Sequence, residues 1–181
     1  MLDEIVSGKG TEIVCLTGEH VFLQGDVDRW VYFVEKGLLK AFYLDPDGRE
    51  HIKSLLVPGA AIGSLVALTG GGRCSFGLRA IADSRLRAVP YAALKEVADH
   101  DLGTARQVMA VLTELAMRKE KREYELLCLS AEERYERFLD EVAPRAPGLS
   151  QMDIAAYLGI TPPALSRIRR RRGMTSRRGS D

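Results

Sequence analysis

No apolar run in this chain of 181 residues approaches the roughly 20 residues that a bilayer-spanning helix needs; Val66-Ala67-Leu68 is typical. The first residues, Met1-Leu2-Asp3-Glu4, are acidic and lead into no apolar h-region, so no secretory signal and a cytoplasmic protein are expected. Cysteine is scarce. Cys15, Cys74 and Cys128 lie far apart without CxxC spacing, which argues against a disulfide scaffold, a zinc finger or a four-cysteine iron–sulfur site. No metal ligands and no iron–sulfur cluster are expected. No Ser/His/Asp, HExxH or paired-carboxylate pattern occurs at usable spacing, so no catalytic residue is assigned. Gly70-Gly71-Gly72 is not followed by the Gly-Lys-Ser/Thr of a phosphate loop, and reads first as a flexible connection. His20, His51 and His100 stand alone and read as surface or hydrogen-bonded residues.

What is present is a hydrophobic fraction of 46%, enough to form a packed core and to exclude wholesale disorder. Charge is unevenly placed. Residues 1–129 carry 16 basic and 18 acidic side chains, a balance of −2, whereas residues 130–181 carry 10 and 7, a balance of +3. From Ile160 onward, seven arginines face the single acid Asp181. A basic end on a near-neutral body predicts a polyanionic partner.

The first ninety residues read as β. Segments 12–16, 31–34, 38–43, 51–56 and 78–82 are short and rich in β-branched or aromatic residues, and turn signals at Gly25-Asp26, Glu35-Lys36-Gly37, Asp45-Pro46-Asp47-Gly48 and Pro58-Gly59 separate them. Many short strands at close spacing predict a sandwich or a roll. After Pro90 the texture turns helical: a short helix over 91–97, then 104–127 without glycine or proline. In the latter, Val108, Val111, Leu112 and Leu115 form a helical stripe. A helix this long has little of its own domain to cover, so pairing with a second copy is expected; packing wholly on its own roll is the alternative.

Ser130-Ala131-Glu132-Glu133 has the pattern of a capping box and opens a helix through about Val142, ended by Pro144-Arg145-Ala146-Pro147-Gly148. Two short helices follow. Ser150 caps the first, Gly159 ends it, Thr161 caps the second, and Pro162 sits where its missing N–H costs nothing. With Ile154, Ala155, Leu158, Ile160, Leu165 and Ile168 inward, this is a helix-turn-helix pattern. The second helix would present Ser166, Arg167 and Arg169 to Arg172 to the major groove of double-stranded DNA. Candidate DNA-binding residues are Gln151, Thr161, Ser166, Arg167, Arg169 and Arg170.

The order of β roll, long helix and helix-turn-helix resembles the Crp/Fnr family of bacterial transcription regulators. The residues that carry the resemblance are Phe22-Leu23-Gln24-Gly25-Asp26, Val31 to Val34 with Gly37, and Asp153 to Thr161 with Leu165-Ser166-Arg167. It implies an α+β chain: a cyclic-nucleotide-binding-type jelly-roll sensor (1–97), a dimerisation helix (98–129) and a helix-turn-helix domain (130–181), the last expected, unlike many members, to lack a full wing. It further implies a homodimer on a two-fold related DNA site, with RNA polymerase as a candidate further partner and no membrane association. Residues 173–181 are expected to fray or to order only on DNA.

Cyclic-AMP binders of the family carry a Gly-Glu pair, then an arginine followed by Ser or Thr and Ala. Here Gly63 precedes Ser64, and either Arg73 or Cys74, ahead of Ser75, stands at the arginine position. Lys119 and Glu120 fall where those binders offer small hydroxyl residues. Losing the ribose acceptor alone removes roughly 1–3 kcal/mol. The ligand pocket is therefore placed at Gly63, Ser64, Arg73, Cys74 and Ser75, cyclic AMP is not the expected effector, and the effector is left unknown. The other reading is a roll that binds a ligand or a protein, without sequence-specific DNA binding.

Overall fold

The computed structural model describes Val6 and residues 8–173. Expectations for residues 174–181 lie outside the described residues. Six strands form one antiparallel sheet: β1 (Thr11–Cys15), β2 (His20–Phe22), β3 (Trp30–Leu44), β4 (Glu50–Leu56), β5 (Ala61–Ile62) and β6 (Gly77–Pro90). Long strands β3 and β6 pair from Trp30↔Pro90 to Phe42↔Gly77 and form the spine. The two ends of this ribbon take different partners. β1 lies along residues 84–88 of β6, β2 along Leu78 and Arg79, β4 along residues 39–44 of β3, and β5 along Tyr32 and Phe33. The sheet therefore curls into a roll around Phe22, Tyr32, Leu39, Leu56, Phe76, Leu78 and Leu86, each at most 4% exposed.

Two expectations on the strands need correction. Glu35-Lys36-Gly37 is not a turn between strands; β3 runs straight through it, with register shifts against β6 from Val34 to Leu39. Gly37 permits this irregularity: its φ is 100°, and a Cβ there would stand 2.2 Å from the Ser84 hydroxyl. Likewise β6 does not stop at Ala82 but continues to Pro90. The hairpin at Asp45–Arg49 forms as its sequence predicts, the Asp45 carboxylate accepting from the amides of Asp47 and Arg49.

A short helix α1 (Leu65–Gly70) follows β5, then α2 (Tyr91–His100) and α3 (Leu102–Cys128) follow β6. Gly70 ends α1, Gly71 caps it in the left-handed conformation, and Gly72 lies in the irregular connection that leads to β6. Helix α3 begins at Asp101, whose carboxylate accepts from the Thr104 amide at 2.6 Å. Within one chain it buries only Thr104 and Glu125; Met109, Leu112, Met117 and Leu127 are exposed.

The capping box at Ser130 forms as expected and opens α4 (Ala131–Arg137). The chain then passes through one π-helical turn (Phe138–Val142) and one 3-10 turn (Ala143–Arg145), because Pro144 has no N–H to continue the ladder. Helices α5 (Gln151–Leu158) and α6 (Pro162–Arg171) complete a second core of Tyr135, Phe138, Ala155, Leu158, Leu165 and Ile168. This helical head is not loosely tethered: α5 lies against β4 of the roll.

Candidate functional site

The helix pair is built by local signals that agree. Ser150 accepts from the Asp153 amide at 3.0 Å while the Asp153 carboxylate accepts from the Ser150 amide at 3.3 Å, the reciprocal pair that fixes the start of α5. Gly159 closes the helix at φ 68°, where a side chain would meet Leu126 at 3.3 Å. Two residues on, the Thr161 hydroxyl accepts from the Ala164 amide and starts α6. Buried Ala155 and Leu158 face buried Leu165 and Ile168, holding the two helices together.

Of the six candidate DNA-binding residues, Gln151 and Thr161 lie at the starts of α5 and α6 and are exposed. Ser166, Arg167 and Arg170 are exposed on α6, and Arg169 is half-buried. Among the described residues Arg167, Arg169 and Arg170 have no acidic partner. The last two arginines of the run differ. Arg171 pairs with Glu132, and Arg172 pairs with Glu136 at 3.0 Å, both acids lying on α4. A cleft of about 280 Å³ between α4 and α6 is lined by Ser130, Glu132, Ala164, Arg167 and Arg171.

Sequence reasoning missed what holds the head in place. The Arg122 guanidinium of α3 donates to the Tyr157 carbonyl and lies 4.1 Å from the centre of that ring. Arg134 donates to the carbonyls of Leu158 at 3.0 Å and Leu129 at 2.6 Å. Two arginines thus serve the last carbonyls of α5 and the junction with α3. Only the position of the arginines near a helix end offered a sequence signal.

At the roll, the five pocket candidates come together only in part, and their polar groups serve the protein itself. The Ser64 hydroxyl, in a residue 2% exposed, accepts from the Ser75 amide at 3.2 Å. Arg73 donates to the Gly25 carbonyl at 2.9 Å. Cys74 is 2% exposed in the roll core, and burial, with Asp28 nearby, pushes its thiol pKa up. Gly63 has Trp30's carbonyl 3.1 Å from where a Cβ would be. Phe76, where the cyclic-AMP pattern has alanine, is buried 5.5 Å ring to ring from Phe22, and the Lys53 ammonium sits 4.5 Å from its centre. Burial lowers the Lys53 pKa, and Lys119 and Arg118 add to that effect. A neutral thiol and an inward phenyl ring offer neither a ribose acceptor nor a phosphate-pairing guanidinium. Among the described residues no three His, Cys, Asp or Glu side chains converge to hold a metal, and no helix is long and apolar enough to cross a membrane.

An antiparallel roll, a long helix and a capped helix pair ending in arginines define a sensor-type roll joined to a helix-turn-helix head. Comparison with known proteins agrees. Residues 12–101 match the family model of the cyclic nucleotide-binding domain. The chain is 30% identical over 180 residues to the transcriptional activator protein Anr of Pseudomonas protegens, covering 92% of this chain and 71% of that one. It is 26% identical over 159 residues to the regulatory protein HlyX of Actinobacillus pleuropneumoniae, covering 82% of this chain and 65% of that one. The solved structure of FixK2 from Bradyrhizobium japonicum superposes with a TM-score of 0.79 at 26% identity, over 94% of this chain and 89% of that one. The chain spans about two thirds of the length of these curated relatives, 65% of HlyX and 71% of Anr. It belongs to the Crp/Fnr family of transcriptional regulators.

Proposed function

We propose that this chain regulates transcription in the cytoplasm by binding double-stranded DNA as a homodimer, without catalysis and without cyclic AMP as effector. The roll (1–97) is the sensor-type domain, residues 98–129 the dimerisation helix and residues 130–181 the DNA-binding head. The observation that carries the reading is α6 itself: Leu165 and Ile168 anchor it in the head, while Arg167, Arg169 and Arg170 on its other faces stand without acidic partners among the described residues. Arg167, through its two-pronged guanidinium, and Ser166, with Arg170 beside them, are the base readers, and Gln151 and Thr161 at the helix starts take phosphate-backbone contacts. The uncovered apolar residues of α3, Met109, Leu112 and Met117 among them, support pairing with a second copy.

The test is titration of the purified protein against promoter and random-sequence duplexes at several salt concentrations, with and without cyclic AMP. Selective binding that the nucleotide leaves unchanged, and that Arg167→Ala abolishes, is the expected result. Selective binding that appears only with cyclic AMP would overturn the reading of Ser64, Cys74 and Phe76. Absence of selective binding in every arm would favour the roll as a ligand- or protein-binding module.

A further inference from the structure

Building on the DNA-binding reading above, we propose that Lys40 is a positioning residue for DNA binding: its buried ammonium grips Asp153 and fixes the head against the roll. Lys40 lies in the middle of β3 and is 3% exposed. Its Nζ donates to Glu50 at 2.6 Å and to Asp153, at the start of α5, at 2.6 Å. Glu50 is already met by Arg79, at 3.0 Å. Within the roll, then, this face holds two cations, Lys40 and Arg79, against the single acid Glu50. The neighbouring His20 adds no third positive charge at neutral pH, since burial and Arg79 lower its pKa. The missing negative charge comes from Asp153 of the head. An ammonium taken out of water without a full complement of carboxylate is strongly unfavourable, so docking of α5 completes the charge balance of the roll.

The grip acts on the right helix. The far end of α5 is held by Arg122 of α3 and Arg134 of α4. Fixed at its start by the roll and at its end by the long helix, α5 has no free axis about which to swing. Its turn to α6 is only Gly159 to Thr161. The direction of α6 is therefore set relative to the roll and to α3, and in a dimer the two α6 helices hold one separation and one angle. Lys40 touches no DNA in this scheme; it determines which half-site spacing the dimer accepts.

The experiment uses the full chain as wild type, Lys40→Met and Asp153→Asn. Lys40→Met leaves Glu50 with Arg79 and leaves the Ser150–Asp153 cap intact, so the roll and the helix each keep their own contacts. Hydrogen exchange without DNA is the first readout. In either variant, amides of α5 and β4 should exchange at least about tenfold faster while the β3–β6 ribbon is unchanged. The second readout is affinity for a duplex selected by the wild type, and for the same duplex with one base pair inserted between half-sites. One base pair turns a half-site by about 35°, so the wild type should lose at least about tenfold, and Lys40→Met less than about threefold. Unchanged exchange in both variants overturns the grip. Faster exchange with wild-type sensitivity to the insertion overturns the positioning role. If the wild type selects no duplex, the DNA-binding reading fails and the positioning role falls with it, while the exchange data still decide whether Lys40 docks the head.

Discussion

Arg171 and Arg172 of α6 are tied to glutamates of α4, and removing those glutamates should change how DNA binding depends on salt. Arg171 pairs with Glu132 and Arg172 with Glu136, and all four side chains are at least one third exposed. Exposed pairs of this kind are worth at most about 1 kcal/mol each, so Glu132→Gln with Glu136→Gln should leave folding stability nearly unchanged. The effect on DNA should be larger. Net charge rises from +1 to +3, and two guanidiniums become free to take phosphates. Each phosphate neutralised steepens the slope of log affinity against log salt by about 0.9, so the two on each protomer steepen it by about 1.8 and the four of a homodimer by about 3.6. Between 50 and 200 mM salt the double variant should therefore lose about 12-fold more affinity per bound protomer than the wild type does, starting from tighter binding at low salt. Fluorescence anisotropy on a random-sequence duplex at five salt concentrations measures both slopes. Equal slopes, with both proteins folded, would refute the idea that Glu132 and Glu136 withhold these arginines from phosphate.

Three further outcomes follow from burial and charge. Leu165→Ala, at a position with no exposed surface in the core of the head, should cost about 2–5 kcal/mol in denaturant unfolding and should weaken DNA binding in proportion to the head unfolded. Burial raises the Asp153 pKa, but the Lys40 and Ser150 hydrogen bonds outweigh it and the net shift is downward. Its contribution to stability is therefore fully present above the ordinary aspartate value of about 3.9 and is lost as pH falls through that value toward the native one; acid unfolding of Asp153→Asn should lack this component. Of the three thiols, Cys15 and Cys74 are at most 3% exposed with raised pKa values, so a thiol reagent should label Cys128 alone at speed in the native protein and all three in guanidinium. A second fast thiol would show that the roll opens.

The head was legible because its signals are local. A serine three residues before an acid, a glycine after the last apolar position and a proline just inside a helix act within one turn of chain, and Ser130, Ser150, Gly159 and Pro162 all behave as their spacing predicts. The roll was legible as β but not in its strand lengths. Gly37 carries the same sequence signal whether it turns a chain or bulges a strand, and only the approach of Ser84 from β6 selects the bulge. Helix α1 escaped notice because Ser64 starts it without a side-chain cap bond and it lasts six residues. The Lys40–Asp153 contact joins residues 113 apart, and a single lysine amid a strand reads as any surface cation until the fold buries it. The arginine run read as one uniform basic stripe; the acids that divide it belong to a different helix.

These features together constrain how such a roll could control its head. A ligand shifts a conformational equilibrium only by its differential affinity for the two states. In this roll the Ser64 hydroxyl, the Arg73 guanidinium and the Cys74 thiol are each taken up by the protein's own backbone or core, and Phe76 fills the interior beside Phe22. A cyclic nucleotide entering there would have to break those contacts before it could use the groups that make them. Among the described residues the ion pairing between roll and head runs instead outside that interior, from Arg79 and Glu50 through Lys40 to Asp153. Any perturbation that adds or removes one charge along that line changes the docking of α5 directly, without passing through the filled interior. On the positioning role proposed for Lys40, the roll acts on DNA binding as a mount for the helix pair, and control depends on what loosens that mount.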